Sequence, residues 1–544
     1  MKQLTPALFL CLKDYSKDKF VKDVISGVIV AIIALPLSIA LALASGVGPE
    51  QGLYTAIVAG FVISFFGGST VQIAGPTAAF ATIVAGVVAK SGMEGLIVAT
   101  VIAGLMLIAM GLLRAGSMIK FIPDPITVGF TAGIALTIVI GQIKDFLGLT
   151  FTHAPVETMK KVEETIACIG TFNPMALVVG LIALAILIIS PKFFKRVPPS
   201  LIAVVVTAAL VKLMNLPVNT IGDLYTISSA LPSFHMPEIS FDLVNAVLPD
   251  AFTIAILAAI ESLLSAVVAD EMVEEHHNSN MELVAQGLGN MASALFGGIP
   301  ATGAIARTAA NINNGGRSPI AGMVHAIVLL LILVLLMPYA ALIPMPTIAA
   351  ILFIVAYNMS HMHKVIEIIR KAPKSDVAVL LISFALTVIF DLVVAISVGL
   401  GLACLMFMKR MADVSDIKEW EYVEITGDED GRLKPVPAHV MVYEITGPMF
   451  FGSADKIPDI DNRNGTKNVL VLRMRSVPAI DATAMNGFTR LVKQCRKADI
   501  QVIFSHVNAQ PMREFHHSGL FDMVGEEFFQ PNIDAALEKA ETIR

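Results

Sequence analysis

Charge is scarce in this 544-residue chain. Asp, Glu, Lys and Arg make up 15% of it, against 56% hydrophobic residues. With a mean hydropathy of +0.76, that balance excludes an ordinary soluble globular protein and predicts a polytopic membrane protein. Cysteine is scarce as well. Cys11, Cys168, Cys404 and Cys495 are scattered, with no CxxC or Cys/His cluster, which argues against a disulfide framework or a structural metal. No GxxxxGKS or GxxxxGKT sequence occurs, so ATP-driven pumping is not expected. Nor are an enzymatic activity, a bound cofactor or a nucleic-acid partner. The opening residues lack an apolar run leading to a small-residue cleavage site, so the first span is expected to stay in the membrane.

What is present is a near-continuous series of apolar runs. Their approximate spans are 23–45, 51–67, 73–90, 95–113, 123–142, 175–191, 200–218, 249–269, 281–297, 300–313, 319–337, 344–359, 375–391 and 393–408. Several fall short of the roughly 20 residues a simple crossing needs. Residues 1–22 form a basic amphipathic lead. An even number of elements puts both ends on one side. Lys192, Lys195 and Arg196, then Arg317, then Lys364, Arg370, Lys371 and Lys374, then Lys409 and Arg410 all fall on that side, which makes it cytoplasmic by the positive-inside rule.

Two of the short runs stand out. Ile299–Asn311 reads IPATGAIARTAAN and Ile73–Ile83 reads IAGPTAAFATI. Each opens with a proline among small residues and becomes a good helix. Proline at a first helical position loses no hydrogen bond, and small neighbours leave the first amides uncovered, which suits an anion. Phe66-Gly67-Gly68 precedes Pro76 as Phe296-Gly297-Gly298 precedes Pro300. This weak internal repeat makes spans 1–7 and 8–14 two inverted halves, a transporter pattern when broken helices meet at the midplane. One such element alone reads as small-residue helix packing. Two at matching places read as a site, with Thr77, Ala78, Ala301 and Thr302 around an anion.

Arg307 lies in an otherwise uncharged run, where a cation usually faces a cavity or a partner. It would concentrate the anion or pair with a carboxylate when the site is empty; the alternative is snorkelling to the helix end. Glu261 lies mid-span with no neighbouring charge, poised to take up a proton or hold a cation, and Ser265 follows one turn later. Pro36 breaks the first span, and with Leu37 and Leu41 it is expected to line the apolar part of the cavity. The acidic, His-containing loop 270–282 reads as solvated rather than as a metal site.

After Arg410 the composition turns polar. Residues 411–434 read as a linker and 435–544 as a small α/β domain, with strands at 440–445, 469–474 and 500–504 and helices at 482–496, 510–519 and 533–543.

These motifs together resemble the sulfate permease (SulP) family of bacterial anion transporters. The resemblance rests on ALPLSIALALASG (34–46) with GLYTA (52–56), AGPTAA (74–79), IESLLSAVVAD (260–270) and GGIPATGAIARTAAN (297–311). The C-terminal region resembles a STAS domain. The resemblance implies a helical membrane domain over 23–410, with fourteen elements in a seven-plus-seven inverted repeat divided into core and gate domains. It also implies elevator-like alternating access and homodimers. Elements 3 and 10 would hold substrate through Thr77, Ala78, Ala301 and Thr302, and animal relatives carry a basic residue matching Arg307. Glu261 matches the family's coupling position. Na⁺-coupled relatives carry Asp there with Thr one turn on; Glu261 with Ser265 makes H⁺ the better expectation and leaves Na⁺ open. Thr483, in IDATA (480–484), matches a phosphorylated position of anti-sigma antagonists, although Asp481 and Thr483 also suit simple helix capping.

The expected function is therefore H⁺-coupled transport of sulfate, another inorganic anion or a C4-dicarboxylate across a bacterial inner membrane. The alternatives are Na⁺-coupled bicarbonate symport, a passive anion channel or exchanger, and a scaffold whose STAS domain recruits a cytoplasmic protein.

Overall fold

The computed structural model describes all residues except 1–3, 118–122, 154, 156, 194–196, 391, 421, 425–432, 459–466 and 544. Lys195, Arg196 and most of the second half of the expected linker lie outside the described residues. The chain divides into two compact units, Met1–Leu400 and Gly401–Arg544.

The first unit is mainly helical. Its long elements are α1 (Lys17–Ala44) and α2 (Pro49–Phe66), then a two-residue strand β1 (Ala74–Gly75), a single 3-10 turn (Ala78–Phe80) and α3 (Ala81–Leu112). α4 (Asp124–Leu147), α5 (Pro174–Phe193), α6 (Pro199–Leu213), α7 (Phe241–Val273) and α8 (Ser279–Leu295) follow. A second short strand, β2 (Thr302–Gly303), leads into α9 (Ile305–Asn313), and α10 (Ile320–Ala340), α11 (Met345–Met359), α12 (Lys374–Ile389) and α13 (Leu392–Val414) complete the series. Among the described residues, seven helices are long and apolar enough to cross a membrane. Broken and shorter elements lie between them. α3 joins two expected spans and turns at Gly92, whose φ of 67° suits glycine. With α3 divided there, every expected span has its helix.

Local chemistry sets the ends. Pro49 and Pro199 stand at helix starts, where a missing amide hydrogen costs nothing. Ser16, Ser240 and Asn278 cap α1, α7 and α8 through their side chains. α1 therefore begins six residues before the expected span, because Ser16 supplies its cap. Between helices, small residues permit close approach: Gly104 of α3 and Gly287 of α8 face each other's backbone carbonyls.

The second unit holds a five-stranded sheet. β3 (Asp416–Trp420), β4 (Val440–Thr446), β5 (Val469–Ser476), β6 (Gln501–Ser505) and β7 (Phe529–Gln530) stand side by side in that order. β3 is antiparallel to β4 and the remaining pairs are parallel. α14 (Ala482–Lys497) and α15 (Ala509–His517) share one buried cluster, with Phe488, Phe504 and Phe515 at its centre. α16 (Ile533–Glu541) covers the other face through Ile533, Ala536 and Leu537. Strands covered on both faces read as continuous apolar runs, as VLVL at 469–472 does. One expectation is corrected here: residues 416–420 are not linker but an edge strand, pairing from Asp416 opposite Thr446 to Trp420 opposite Val442. Their charged side chains suit an exposed edge.

Candidate functional site

The site begins with two extended leads. Residues 71–77 follow α2 and residues 299–304 follow α8. They pair antiparallel, Ala74 opposite Gly303 and Gly75 opposite Thr302, and Ala304 N–H donates to the Ile73 carbonyl at 2.9 Å. Matching elements of the two halves thus meet through backbone. A Cβ at Gly75 would crowd the Arg307 guanidinium, and one at Gly303 the Gln72 amide, so glycine at both places lets those side-chain ends lie against the ladder.

The prolines act differently from the sequence expectation. Neither opens a helix. Pro76 precedes the cap residue Thr77, and Pro300 lies four residues before the cap residue Ala304. Proline pushes the residue before it into extended backbone, which is what the ladder requires. The half-helices start later, at Ala78 and Ile305. Neither start has a side-chain cap, so first-turn amides without intrahelical acceptors are left for another partner.

Side chains from neighbouring helices fix the leads. Thr55 of α2 accepts Ile299 N–H at 2.7 Å, and Ser293 of α8 donates to the Ile299 carbonyl at 2.8 Å. Asn290 accepts Ala301 N–H and donates to the Ala301 carbonyl, each at 2.8 Å. On the other lead, Thr308 accepts Ile73 N–H at 3.0 Å and Asn311 donates to the Val71 carbonyl at 2.8 Å. Glu282 of α8 accepts from Gly68 N–H, Ser69 N–H and the Gln72 amide. Buried backbone polar groups need such partners in an apolar interior.

The expected site residues divide into two groups. Thr77 donates its hydroxyl to Glu261 Oε2 at 3.0 Å, and both residues keep partial access to solvent. Ala78 begins the first half-helix. Ala301 and Thr302 are fully buried. The Ala301 amide is held by Asn290, and the Thr302 hydroxyl lies 2.6 Å from Ser262 Oγ on α7. Ser262 also accepts Gly303 N–H at 3.1 Å. The sequence makes Ala301 and Thr302 anion donors; the structure gives their polar groups to α8 and α7.

Arg307 does not snorkel. It is 3% exposed, and its Nη2 donates to the Pro76 carbonyl at 3.0 Å and Ser38 Oγ at 3.4 Å. It therefore ties the second half-helix to the first lead. Its Nη1 has no protein partner. Among the described residues, Arg307 and Glu261 make no ion pair with each other; each is engaged with the first lead instead. Ser265 is buried and its hydroxyl has no protein partner.

Pro36 lines an apolar cavity of about 370 Å³ between α1, α2, α6 and α10, with Ile39, Leu53, Val204, Ala208 and Leu336. Leu37 and Leu41 are not part of that lining. Ser38, two residues on, faces Arg307, so the apolar cavity and the polar site lie on different sides of α1. In the 270–282 loop, His277 pairs with Asp270 at 2.8 Å. In the second unit, Asp481 caps α14 by accepting Ala484 N–H at 2.8 Å, and Thr483 stands exposed in its first turn.

Sequence reasoning missed Ser38, Thr55, Ser262, Asn290, Thr308 and Asn311. A signal existed for the two asparagines: each is an amide in an apolar helix, and such residues usually bind across helices.

Comparison with known proteins identifies the family. The chain matches the Sulfate permease family over residues 20–383 and the STAS domain over 433–540. It is 40% identical to YvdB of Bacillus subtilis (strain 168) over 527 residues, 96% of this chain and 98% of that protein. It is 30% identical to the bicarbonate transporter BicA of Picosynechococcus sp. over 538 residues, 95% of this chain and 94% of that protein. The inward-facing structure of the murine anion transporter Slc26a9 superposes with a TM-score of 0.89 at 18% identity, over 99% of this chain and 94% of that one, and so shares the fold. The chain belongs to the sulfate permease family: it is a multi-pass anion transporter with a C-terminal STAS domain, and not an enzyme.

Proposed function

We propose that this sulfate permease family member is an H⁺-coupled secondary transporter of a small anion, with Glu261 as the proton carrier. The observation that carries this reading is the hydrogen bond from Thr77 to Glu261 at the uncapped start of the first half-helix. A hydroxyl has one hydrogen to donate. While Glu261 is ionised, Thr77 gives that hydrogen to the carboxylate. Once Glu261 is protonated it becomes a donor itself, and Thr77 can turn its hydrogen to an anion at the Ala78 amide. Proton and anion then favour each other's binding, and by linkage the effect is reciprocal.

Arg307 supplies positive charge from the second half-helix. Thr77, Ala78 and Arg307 hold the anion, and Ala301 and Thr302 shape the floor beneath it. Amide donors and a guanidinium suit sulfate, bicarbonate and C4-dicarboxylates alike. Elevator-like movement of the paired leads, together with the helices that clamp them, against the rest of the helical unit would carry the site across a bacterial inner membrane. Both termini face the cytoplasm in this reading, since the basic loops lie on that side. A homodimer is the expected assembly, with a cytoplasmic protein as candidate partner for the STAS domain.

A second reading, Na⁺-coupled bicarbonate symport, is favoured by the similarity to BicA and by the unpartnered Ser265 oxygen on the Glu261 helix. Uptake of labelled sulfate, bicarbonate, succinate and aspartate into proteoliposomes under imposed H⁺ or Na⁺ gradients separates the two. Accumulation driven by a proton gradient alone supports the first; dependence on Na⁺ alone overturns it.

A further inference from the structure

We propose that the apolar cavity beside Pro36 is a binding site for an anionic phospholipid, with one acyl chain in the cavity and the headgroup phosphate on Lys212. The proposal goes beyond the transport reading and does not depend on it.

The cavity, of about 370 Å³, has two walls. α6 gives one through Val204, Ala208 and Lys212, and α1, α2 and α10 give the other through Pro36, Leu53 and Leu336. α6 is anchored on its other sides. It packs chiefly on α5, and its buried Thr207 hydroxyl meets that of Thr347 on α11 at 2.8 Å. Protein interiors are close-packed, so a gap of this size forfeits dispersion contacts along its lining unless something fills it.

The lining says what fills it. Lys212 and Tyr339 are the residues there with polar side chains, and the rest of the wall is hydrocarbon. A water placed deep in the slot would lack the two or more polar partners it needs. An alkyl chain needs none. Val205 and Leu336 line the cavity and are also exposed, so it opens at an apolar rim, which in a membrane domain faces lipid tails.

The polar end lies at headgroup depth. α6 begins at Pro199, on the side of Lys192, and α10 begins at Ile320, on the side of Arg317. Lys212 and Tyr339 stand in the last turns of these two helices, so both lie toward the opposite membrane face. α6 has 15 residues and is about 22 Å long, short of the roughly 30 Å of a hydrocarbon core. Its last turn therefore stops near the boundary between hydrocarbon and headgroups, where an amine calls for an anion. From Lys212 back to Val204 the helix descends about 12 Å. The slot thus runs inward from the amine as an acyl chain runs inward from its phosphate.

Charge selects among lipids. The Lys212 side chain is exposed, the lining holds no acidic residue, and no ion pair among the described residues neutralises it. A phosphodiester accepts from the ammonium, and the Tyr339 hydroxyl offers a second donor. A headgroup of net negative charge is attracted more strongly than a zwitterionic one. Ser38, on the other side of α1, reaches Arg307, so the lipid chain and the anion site lie on opposite sides of that helix.

The test uses the full-length protein in phosphatidylcholine vesicles doped with a phosphatidylglycerol that carries a photoactivatable diazirine midway along one acyl chain. Labelled peptides are mapped by mass spectrometry. The expected result is labelling of the cavity lining on α1, α6 and α10. It should fall about fivefold in Lys212→Gln, the worth of one basic residue beside an anionic headgroup, and at least about tenfold in Ala208→Trp, which fills the slot. A phosphatidylcholine with the same diazirine, at the same dose, should label the wild type about fivefold less than phosphatidylglycerol and should not respond to Lys212→Gln. An unlabelled lining, equal labelling by the two lipids in the wild type, or full labelling of Ala208→Trp overturns the proposal. Cross-links from these residues to a second copy of the chain in place of lipid also overturn it. If Ala208→Trp does not fold, Val204→Phe takes its place, and Lys212→Gln, at an exposed position, stays decisive.

Discussion

The two leads occupy matching places in the repeat, yet they do different work. In the second lead, Ile299, Ala301, Thr302 and Gly303 all give polar groups to Thr55, Ser293, Asn290 and Ser262. Its clamps grip the peptide from α2, α7 and α8. In the first lead, Asn311 and Thr308 hold Val71 and Ile73, Arg307 holds the Pro76 carbonyl, and the accessible hydroxyl of Thr77 reaches a carboxylate on α7. Duplicated elements have become a scaffold and a reactive edge. Arg307 reverses the assignment only in part: it belongs to the second half-helix but delivers its guanidinium to the first lead.

The largest way to break this division is Glu261→Gln. The amide is nearly isosteric and remains hydrogen-bonded to Thr77, so folding is expected to survive. Concentrative uptake is expected to fall by about 100-fold or more, since the proton carrier is gone and no uncharged substitute titrates. Uptake under a pH gradient measures it; normal accumulation would show that the reactive edge does not couple through Glu261.

Asn290→Ala tests the scaffold. It strands the N–H and carbonyl of Ala301 in a fully buried place. Each stranded group costs about 1–3 kcal/mol, so a clear fall in melting temperature is expected, with transport lost in proportion to folded protein. An unchanged melting temperature would mean that the lead does not depend on its clamps.

How much of this was legible follows from range. FGG followed by proline and small residues marks both leads, because breaking a helix is a local act. Which groups each lead gives away is decided in part by residues within about one helix, as for Asn290 with Ala301, and in part by residues more than 200 positions apart, as for Thr55 with Ile299 and Thr308 with Ile73, and symmetry in the sequence hides the asymmetry in their use. Proline favours both a first helical position and extended backbone beside it, so Pro76 and Pro300 read in sequence as helix starts; only the ladder separates the two. Likewise Asp416–Trp420 reads as linker because a charged edge strand lacks the apolar run that marked its neighbours.

Paired substitutions sharpen the comparison at smaller cost. Thr77→Val removes the hydroxyl on the reactive edge. It is expected to raise KM by about tenfold, the worth of one hydrogen bond to a charged group, and to weaken the pH dependence. Thr302→Val removes the hydroxyl on the scaffold. It leaves Ser262 short of a partner, and should lower stability by about 1 kcal/mol while KM moves by less than about threefold. Equal KM effects in the two variants would mean that both leads touch the anion alike.

The smallest effect is expected at Ser265, and it bears on the coupling ion. Its hydroxyl is buried without a protein partner, so Ser265→Ala removes no hydrogen bond from the fold, and the melting temperature should hold or rise slightly. If a proton is the coupling ion, the carboxylate of Glu261 suffices, and uptake driven by a pH gradient should stay within about twofold of wild type. A sodium ion is different, because it needs several oxygen ligands and would lose one here. Transport that becomes strongly dependent on high Na⁺ in Ser265→Ala, with the pH-driven component absent, would move the coupling site from a single carboxylate to a shared oxygen cage on α7.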